Sequence, residues 1–370
     1  MDWSVPMRTA LRIARKGYGN TGPNPWVGAA VVKAGQVLAC GYHQRLGDAH
    51  AEVVVLEQLG EAARGADLVV TLEPCSRYGR TPPCVDRIIA AGIKRVVVGV
   101  LDPNPRERGR GIALLQQAGI DVILGVEEEK CRQLNEPYFK YMATGRPFVT
   151  LKLATSLDGR IATRSGDSNW FSGPETNRFT HRLRRDCNAL LVGARTAALD
   201  DPSLTVRHSQ PRTRPLRVVL SRSLNLPLHL KLFEFQERLP TLVFTGKGSS
   251  ASGIEALRTA GVSVAQVSES ETGLDLHEVL ERLGARGVAR LLVDGGGRMA
   301  GAFLEASLVD RLFIAYSPVV VGQDGLPSFA MPGVERLVDA RRGFLEWTRK
   351  SGNDVLASWR LGPEYWRGVP

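Results

Sequence analysis

The residues best suited to chemistry in this sequence are one histidine and two cysteines. His50 opens a predicted helix, Cys75 follows the apolar strand VVTLE, and Cys84 starts another predicted helix after two prolines. One imidazole and two thiolates, with a fourth place left for water, are the ligands of a catalytic zinc ion. A helix start also lowers the pKa of a thiol and favours the thiolate. The pattern therefore predicts a zinc site that activates water.

Glu52 lies two residues after His50 and gives this site a second function. Residues i and i+2 do not share a helix face, but at the very first turn both side chains can converge on one metal-bound water. A carboxylate there can take a proton from the water and return it to a leaving amine. H-x-E followed by P-C is the signature of zinc deaminases. Singly, a histidine at a helix start is usually a cap and a cysteine pair part of a core, so the prediction depends on the combination.

Composition and charge limit the class of protein. The chain has 370 residues, 43% of them hydrophobic and 23% charged, which is typical of two packed domains. Its formal charge is +10, but the excess is spread over both halves without a basic block, and aromatics are only 6%. A small anionic or phosphorylated ligand is therefore favoured over nucleic acid.

Location and redox state follow from other features of the sequence. No apolar run approaches the ~20 residues that span a bilayer, and the first residues, MDWSVPMRTALRIARKG, lack the apolar core of a signal peptide. We expect a cytoplasmic protein without membrane contact. Five cysteines do not suggest a disulfide framework; Cys40, Cys131 and Cys187 are predicted to be buried, inert thiols.

The first part of the chain alternates helices and strands, which predicts a layered α/β domain. The predicted elements are a helix over 4–16, strands GAAVVK and QVLACGY, a helix over 50–59, strand DLVVTL, a helix over 83–91, strand RVVVGV, a helix over 109–118, strand DVIL and a helix over 127–144. The pattern restarts near Gly145-Arg146-Pro147. We therefore predict domains at 1–146 and 147–370.

The second part alternates in the same way. Its predicted elements are strand PFVTLKLA, a helix over 174–186, strands ALLVG, PLRVVL and TLVFTG, a helix over 251–260, strand VSVAQV, a helix over 275–284, strand RLLVDGGG, a helix to about Ala306 and strand DRLFIAY. Gly295, Gly296 and Gly297 lie between a buried strand and a helix, where bare amides can hold a phosphate of a dinucleotide. They do not form G-x-G-x-x-G, which disfavours a Rossmann domain, and a tight turn alone would also use glycine.

The segment between the two cysteines resembles a known family. Eight residues separate Cys75 from Cys84 in T-L-E-P-C-S-R-Y-G-R-T-P-P-C, instead of the two of C-x-x-C. Together with P-N-P-W-V-G at 23–28, G-Y-H-Q-R at 41–45 and D-P-N-P at 102–105, this segment closely resembles the bifunctional riboflavin-biosynthesis deaminase/reductases. The resemblance covers nearly the whole chain, with further matching segments at 152–162, 168–175, 190–207 and 291–297.

The resemblance implies the fold, the two activities and the residues of the first site. It implies a cytidine-deaminase-like three-layer domain followed by a dihydrofolate-reductase-like α/β domain. The first would hydrolytically deaminate a diaminopyrimidinone ribotide, and the second would reduce its ribosyl group to ribityl with NADPH. Zinc would bind His50, Cys75 and Cys84, and Glu52 would move the proton. Asn24 would hydrogen-bond the base, with Asp102 and Asn104 near the substrate, although Asn or Asp beside proline is by default a turn residue.

The resemblance also implies the residues of the second site. The implied substrate contacts are Lys152, Ser168, Arg184, Leu204, Arg207 and Asp294. The implied cofactor contacts are Ala154, Trp170, Thr196, Asp200, Gly295, Gly296 and Gly297. Simpler readings stay open: an arginine on the helix at 174–186 can belong to a solvated face, Trp170 can be a core aromatic, and Asp158-Gly159 can be a plain turn.

Five residues, at three places in the chain, depart from the family pattern. Arg77-Tyr78 replaces two histidines, and Arg77 offers a cation to the substrate phosphate instead. Asp294 stands where glutamate is more usual, and Ser221-Arg222 lies where an aspartate often follows the strand. The last change touches the cofactor side of the second domain.

The sequence disfavours two alternative functions, a tRNA deaminase and a non-catalytic zinc module. A tRNA deaminase fused to an accessory domain would want a concentrated basic face and stacking aromatics, neither of which the sequence has. A non-catalytic zinc module would not need Glu52. The family likeness suggests a homo-oligomer, a dimer or a tetramer.

Overall fold

The computed structural model describes residues 1–79, 81–168, 171–207, 214–271 and 273–363. Contacts between Cα atoms divide the chain into two compact units, with the division between Gly145 and Arg146. Trp170, predicted to line the cofactor, lies outside the described residues. No helix within the described ranges is long and apolar enough to cross a membrane.

The first unit contains one five-stranded sheet. Its strands are β1 Gly28–Lys33, β2 Gln36–Tyr42, β3 Asp67–Val70, β4 Arg95–Val98 and β5 Asp121–Leu124, and its helices are α1 Ser4–Ala14, α2 Ala51–Leu59, α3 Cys84–Ala90, α4 Arg110–Gln117, α5 Glu128–Leu134 and α6 Glu136–Thr144. The strand order is β2-β1-β3-β4-β5. β1 is antiparallel to both of its neighbours, whereas β3, β4 and β5 run parallel.

The two faces of this sheet contribute alternate side chains to two separate cores. In β3, Leu68 and Val70 pack with residues of α2, α3 and α4, while Val69 packs with residues of α1, α5 and α6. Because successive strand residues point to opposite faces, an all-apolar strand requires a layer of helices on each side. The predicted three-layer domain is confirmed.

One predicted helix of this unit is wrong in detail. The single helix expected over 127–144 is two helices, α5 and α6, separated at Asn135. The side chain of Asn135 accepts a hydrogen bond from the Trp26 amide at 2.8 Å and donates one to the Trp26 carbonyl at 2.9 Å. Pro137 then lies in the first turn of α6, where its missing N–H costs nothing.

The second unit contains a nine-stranded sheet and two small two-stranded sheets. Its strands are β6 Phe148–Thr155, β7 Arg160–Ala162, β8 Ala189–Gly193, β9 Leu216–Leu220, β10 Thr241–Gly246, β11 Ser263–Val267, β12 Glu269–Ser270, β13 Gly273–Leu274, β14 Arg290–Val293, β15 Arg311–Tyr316, β16 Leu326–Pro327, β17 Phe344–Ser351 and β18 Asp354–Arg360. Its helices are α7 Pro174–Arg185, α8 Ala194–Asp200, α9 Ala251–Thr259, α10 Leu276–Ala285 and α11 Gly297–Glu305. The two small sheets are β12-β13 and β16-β7.

The large sheet has the order β11-β10-β9-β8-β14-β6-β15-β18-β17. The strands from β11 to β15 in this order are parallel, and β18 is antiparallel to both β15 and β17. Buried apolar residues fill cores on both faces, and the α/β class predicted for this domain is confirmed.

The hairpin formed by β17 and β18 was not predicted from the sequence. β17 reads FLEWTRKS and is almost entirely exposed at the edge of the sheet, so it shows neither an apolar run nor strict alternation. The short elements β7 and α8 were missed as well. Elements of three and seven residues are too short to show a period.

Candidate active sites

The three predicted metal ligands lie together in the first unit. The candidate ligand atoms of His50, Cys75 and Cys84 all lie within 4.8 Å of one another, the only such group in the described part of the chain. His50 Nδ1 is 3.5 Å from Cys75 Sγ and 3.3 Å from Cys84 Sγ. His50 is the N-cap of α2 and Cys84 is the first residue of α3, so two helix starts and the loop after β3 bring the donors together.

The two thiols share hydrogen bonds, and this sets their acidity. The pKa of Cys75 is lowered to about 5, first because of its hydrogen bond with Cys84 and also because of its contact with His50. The pKa of Cys84 is raised well above 9.0 by the same hydrogen bond and by burial. A nitrogen and two sulfurs at this spacing suit zinc, which takes tetrahedral N and S ligands.

Glu52 is buried beside these ligands, with 3% of its surface exposed. Its Oε2 has no hydrogen-bond partner among the described residues. Burial is the main reason that the pKa of Glu52 is raised to about 7. A carboxylate with a pKa near neutrality and a free oxygen can both accept and return a proton.

A cavity of about 380 Å³ opens in front of this group. It brings together the predicted residues of the first site: Asn24, His50, Glu52, Cys75, Asp102 and Asn104. Arg77 also lines it and is exposed, which leaves its guanidinium accessible to an anion. A cavity of this size suits a small ligand.

His43 is a residue of this cavity to which the sequence analysis gave no role. Its Nδ1 lies 3.2 Å from the Ala49 carbonyl and therefore donates, which leaves Nε2 to accept from Asn24 Nδ2 at 3.3 Å. Burial lowers the pKa of His43 to about 4, which suits a neutral ring. His43 thus orients the amide of Asn24. The only signal in the sequence was its place in the G-Y-H-Q-R segment.

Asp102 is held at the wall of the same cavity. Burial raises its pKa to about 7, and the Tyr138 hydroxyl donates to Oδ1 at 3.1 Å. The same oxygen accepts the Asn104 amide at 2.8 Å, so the carboxyl also forms the local turn expected beside proline. Asp102 can therefore be a turn residue and a substrate contact at the same time.

In the second unit, three of the predicted substrate residues form one ion cluster. Asp294 follows β14, and its Oδ1 lies 3.3 Å from Lys152 Nζ on β6. Its Oδ2 accepts from Arg184 of α7 at 2.7 and 3.2 Å. Burial raises the pKa of Asp294, but the two cations lower it by more, so the pKa of this carboxyl lies well below 3.8. Aspartate, shorter than glutamate by one methylene, still reaches both cations.

The glycine segment forms a close turn between β14 and α11. A Cβ on Gly297 would lie 2.1 Å from the Pro327 carbonyl oxygen, and one on Gly295 would lie 2.9 Å from Met299 Cβ. Gly296 is the N-cap of α11, and its Cβ would meet only Ile161 Cδ1 and Thr196 Oγ1, both at 3.7 Å. The two outer glycines permit packing, while the middle one leaves a cradle in front of a helix start that fits a phosphate group.

The other predicted residues of the second unit are spread around this sheet. Thr196 and Asp200 lie on α8, and Ala154 lies on β6. Leu204 is buried with φ of 45°. Arg207 Nε lies 3.2 Å from His181 Nε2 of α7. Ser168 is exposed in the segment before α7.

Asp158 and Arg222 make contacts that explain them as structural residues. Asp158 accepts from the amides of Val321 and Gly322 at 3.1 and 2.7 Å, so its motif is a turn that fastens a distant segment. Arg222, at one of the departures, pairs with Glu269 at 2.5 Å.

The chain matches two families and several relatives. Residues 147–356 match the RibD C-terminal domain, and residues 3–100 match the cytidine and deoxycytidylate deaminase zinc-binding region. It is 44% identical over 317 residues to the riboflavin biosynthesis protein RibD of Aquifex aeolicus, covering 86% of this chain and 87% of that protein.

Two solved structures are similar over almost the whole chain. Acinetobacter baumannii RibD matches with a TM-score of 0.89 at 34% identity, covering 97% of this chain and 99% of that one. The second comes from Thermotoga maritima and is described as a diaminohydroxyphosphoribosylaminopyrimidine deaminase/5-amino-6-(5-phosphoribosylamino)uracil reductase. It matches with a TM-score of 0.85 at 36% identity, and 97% and 98% of the two chains are covered.

Proposed function

The chain belongs to the RibD family, bifunctional deaminase/reductases of riboflavin biosynthesis, and we propose that the two sites described above carry these activities. The first would remove an amine from a diaminopyrimidinone ribotide, and the second would reduce the ribosyl group of the product. The observation that carries the proposal is the convergence of His50, Cys75 and Cys84 beside the buried Glu52.

In the deaminase site the protein holds the metal, moves a proton and orients the base. His50, Cys75 and Cys84 would hold zinc, which supplies the Lewis acidity that makes water nucleophilic at neutral pH. Glu52 accepts a proton from the attacking water at Oε2 and delivers it to the exocyclic nitrogen, which leaves as ammonia. Asn24, oriented by His43, and Asp102 hold the base in place.

In the reductase site the protein supplies anion binding and orientation. NADPH, when bound, supplies the hydride. The bare amides at Gly296 and the start of α11 would hold one of its phosphates, with Thr196 beside them. Arg184 and Arg207 would bind the phosphate of the ribotide. Asp294 fixes the positions of Lys152 and Arg184 through the ion cluster.

Mass spectrometry of the products tests both activities. Zinc-replete protein is given the diaminopyrimidinone ribotide, with and without NADPH. We expect exchange of an amine for an oxygen without NADPH, and a gain of two hydrogens when NADPH is added. If zinc-replete protein shows neither of these mass changes, the assignment is overturned. Arg77-Tyr78 and Ser221-Arg222 would then be the first positions to replace with the residues usual in the family. A tRNA deaminase is not favoured, because residues 147–356 match a reductase domain.

A small phosphorylated pyrimidine is the partner that the family implies, and we propose that the chain also pairs with itself. β17 is the edge strand of the large sheet and exposes Phe344 by 77% and Leu345 by 57%. The neighbouring segment exposes Leu337 and Val338 by 79% and 71%. An exposed apolar edge strand is a ready template for association with a second copy. The cytoplasmic location stays a prediction.

A further inference from the structure

A buried carboxylate next to the metal ligands binds a distant loop through its backbone. Glu73 lies two residues before Cys75 and has 4% of its surface exposed. Its Oε2 accepts from the amides of Asp102 at 3.1 Å and Gly109 at 2.9 Å. Its Oε1 accepts from the amides of Gly111 at 3.0 Å and Ile112 at 3.4 Å. Four donors on one carboxylate offset the cost of burying its charge.

These amides are the ones that α4 and the loop before it leave without partners. Gly109 is the N-cap of α4 and has no side chain to cap the helix. The first amides of a helix lack partners within the helix, and a negative charge there is favourable. Glu73 therefore caps α4 from another part of the chain. Through the Asp102 amide it also binds the loop that carries Asp102 and Asn104, the substrate loop.

A second carboxylate makes the reverse connection. Glu107, in the loop between Asp102 and α4, accepts from the Ser76 amide at 2.9 Å and from the Ser76 hydroxyl at 2.8 Å. Ser76 directly follows Cys75. The backbones also touch, since a Cβ on Gly111 would lie 2.1 Å from the Pro74 carbonyl oxygen. Each loop thus supplies one carboxylate to the backbone of the other.

We propose that Glu73 and Glu107 are positioning residues of the deaminase site. Together they fasten the loop that carries Asp102 and Asn104 to the loop that carries Cys75. The distance between the substrate contacts and the metal ligands then no longer depends on two irregular loops keeping their shapes separately. This inference rests on the proposed deaminase function. Both residues line the cavity, but their carboxylates bind the amides and the Ser76 hydroxyl of the neighbouring loops, so both act through the backbone that they hold.

The test separates substrate binding from metal binding and folding. In Glu73→Gln one carboxylate oxygen becomes an amide that faces two N–H donors, so the segment from Asp102 to Ile112 loses two of its four contacts with this side chain. We expect the KM of deamination to rise by about 10- to 100-fold with a smaller fall in kcat. Zinc content and NADPH-dependent reduction of the deaminated ribotide stay as in the wild type. The reductase reaction serves as a folding control within the same chain.

Glu107 supplies an independent variant pair. Glu107→Ala removes both contacts to Ser76, and we expect its KM to rise by about tenfold. Glu107→Gln keeps an oxygen that can accept from Ser76, so it should return KM to within about threefold of the wild type. Glu57→Gln is the matched control, because Glu57 is a half-exposed carboxylate on α2 that pairs with Arg87.

The outcomes are distinct. Wild-type KM in both Glu73→Gln and Glu107→Ala overturns the inference. Loss of activity only in proportion to lost zinc also overturns it, since the residues would then serve the metal or the fold alone. If Glu73→Gln does not fold, the Glu107 pair decides the matter. No deamination by the wild type would refute the proposed function instead.

Discussion

Glu52 and Asp102 are two buried carboxyls in one cavity, and their surroundings assign them different roles. Both have a pKa raised to about 7, mainly by burial. The Oε2 of Glu52 has no partner among the described residues, whereas Asp102 accepts from the Tyr138 hydroxyl and the Asn104 amide. A proton carrier needs a free oxygen, and a group that orients a ligand needs a fixed one.

Replacing Glu52 separates proton transfer from metal binding. Glu52→Gln keeps the size of the side chain but cannot accept a proton, so we expect deamination to slow by about 10²- to 10⁴-fold. Zinc content, measured by elemental analysis of the purified protein, should not change. Reduction of the deaminated ribotide should also be unaffected. A variant that retains wild-type deamination would exclude Glu52 as the proton carrier.

Asp294 is expected to make the second unit less stable as the pH falls into the acid range. Its carboxyl is paired with Lys152 and Arg184 in the folded state, and these cations hold its pKa below the ordinary 3.8 despite burial. As pH falls, the unfolded chain takes up this proton first. The stabilisation is therefore complete above an ordinary carboxyl pKa and is lost as pH falls through the lower folded-state pKa.

We expect Asp294→Asn to destabilise the second unit by about 3 kcal/mol at neutral pH, because two partly buried cations lose their counter-ion. Calorimetric unfolding should show this difference unchanged between about pH 5 and 8, and shrinking toward about pH 3. Glu255→Gln, on the exposed side of α9, is the control. An equal difference at every pH would show that the ionised pair is not its source.

Helix starts provide the functional groups of both units. In the first, the starts of α2 and α3 carry His50 and Cys84. In the second, the start of α11 carries the glycine cradle next to Thr196 on α8. A helix start offers unpaired amides and a fixed direction for its first side chains. It is therefore a rigid place from which to present a ligand atom or hold a phosphate.

Two neighbouring glycines at the start of α11 should respond differently to one added methyl group. In Gly296→Ala the methyl group meets its neighbours at 3.7 Å and fills the cradle, so we expect a stable protein whose KM for NADPH rises by about tenfold. In Gly297→Ala it would lie 2.1 Å from the Pro327 carbonyl oxygen, so we expect a loss of about 2–3 kcal/mol of stability.

Steady-state reduction and thermal unfolding measure the two effects. Gly248→Ala is the control, because a Cβ there meets nothing within 4 Å. Unchanged NADPH kinetics in Gly296→Ala would place the cofactor phosphates elsewhere.

At the scale of the molecule, each unit has its own main sheet and its own cores, and the exposed apolar edge of the second large sheet is the surface that we propose for self-association. Two lysines on β17 would place charge where an apolar contact is proposed. We expect the double variant Phe344→Lys, Leu345→Lys to have a lower molar mass than the wild type in size-exclusion chromatography with light scattering.

Leu228→Lys, at a leucine exposed by 52% outside β17, is the control for added charge. A monomeric wild type, or an unchanged mass in the double variant, would contradict the proposed edge contact.

Local patterns in the chain were sufficient to predict the order of most helices and strands, the three metal donors and the glycine cradle. Apolar runs bounded by glycine, proline and polar residues have few alternatives, because a strand with two apolar faces must be buried on both. The H-A-E and P-C segments place their donors at element ends, which is a short-range property. The roles given to these residues stay proposals.

Contacts between distant segments required the folded chain. The pairing of Asn135 with Trp26 broke a helix that its own sequence would continue, and the two residues are 109 positions apart. Arg184 and Asp294 are 110 positions apart, and the sequence did not show that they meet. Glu73 lies in a motif that was read only for its cysteine, although its four partners lie 29 to 39 positions further on. Such contacts depend on which strands become neighbours in the sheet, and a local pattern does not specify that order because it depends on the packing of all the elements together.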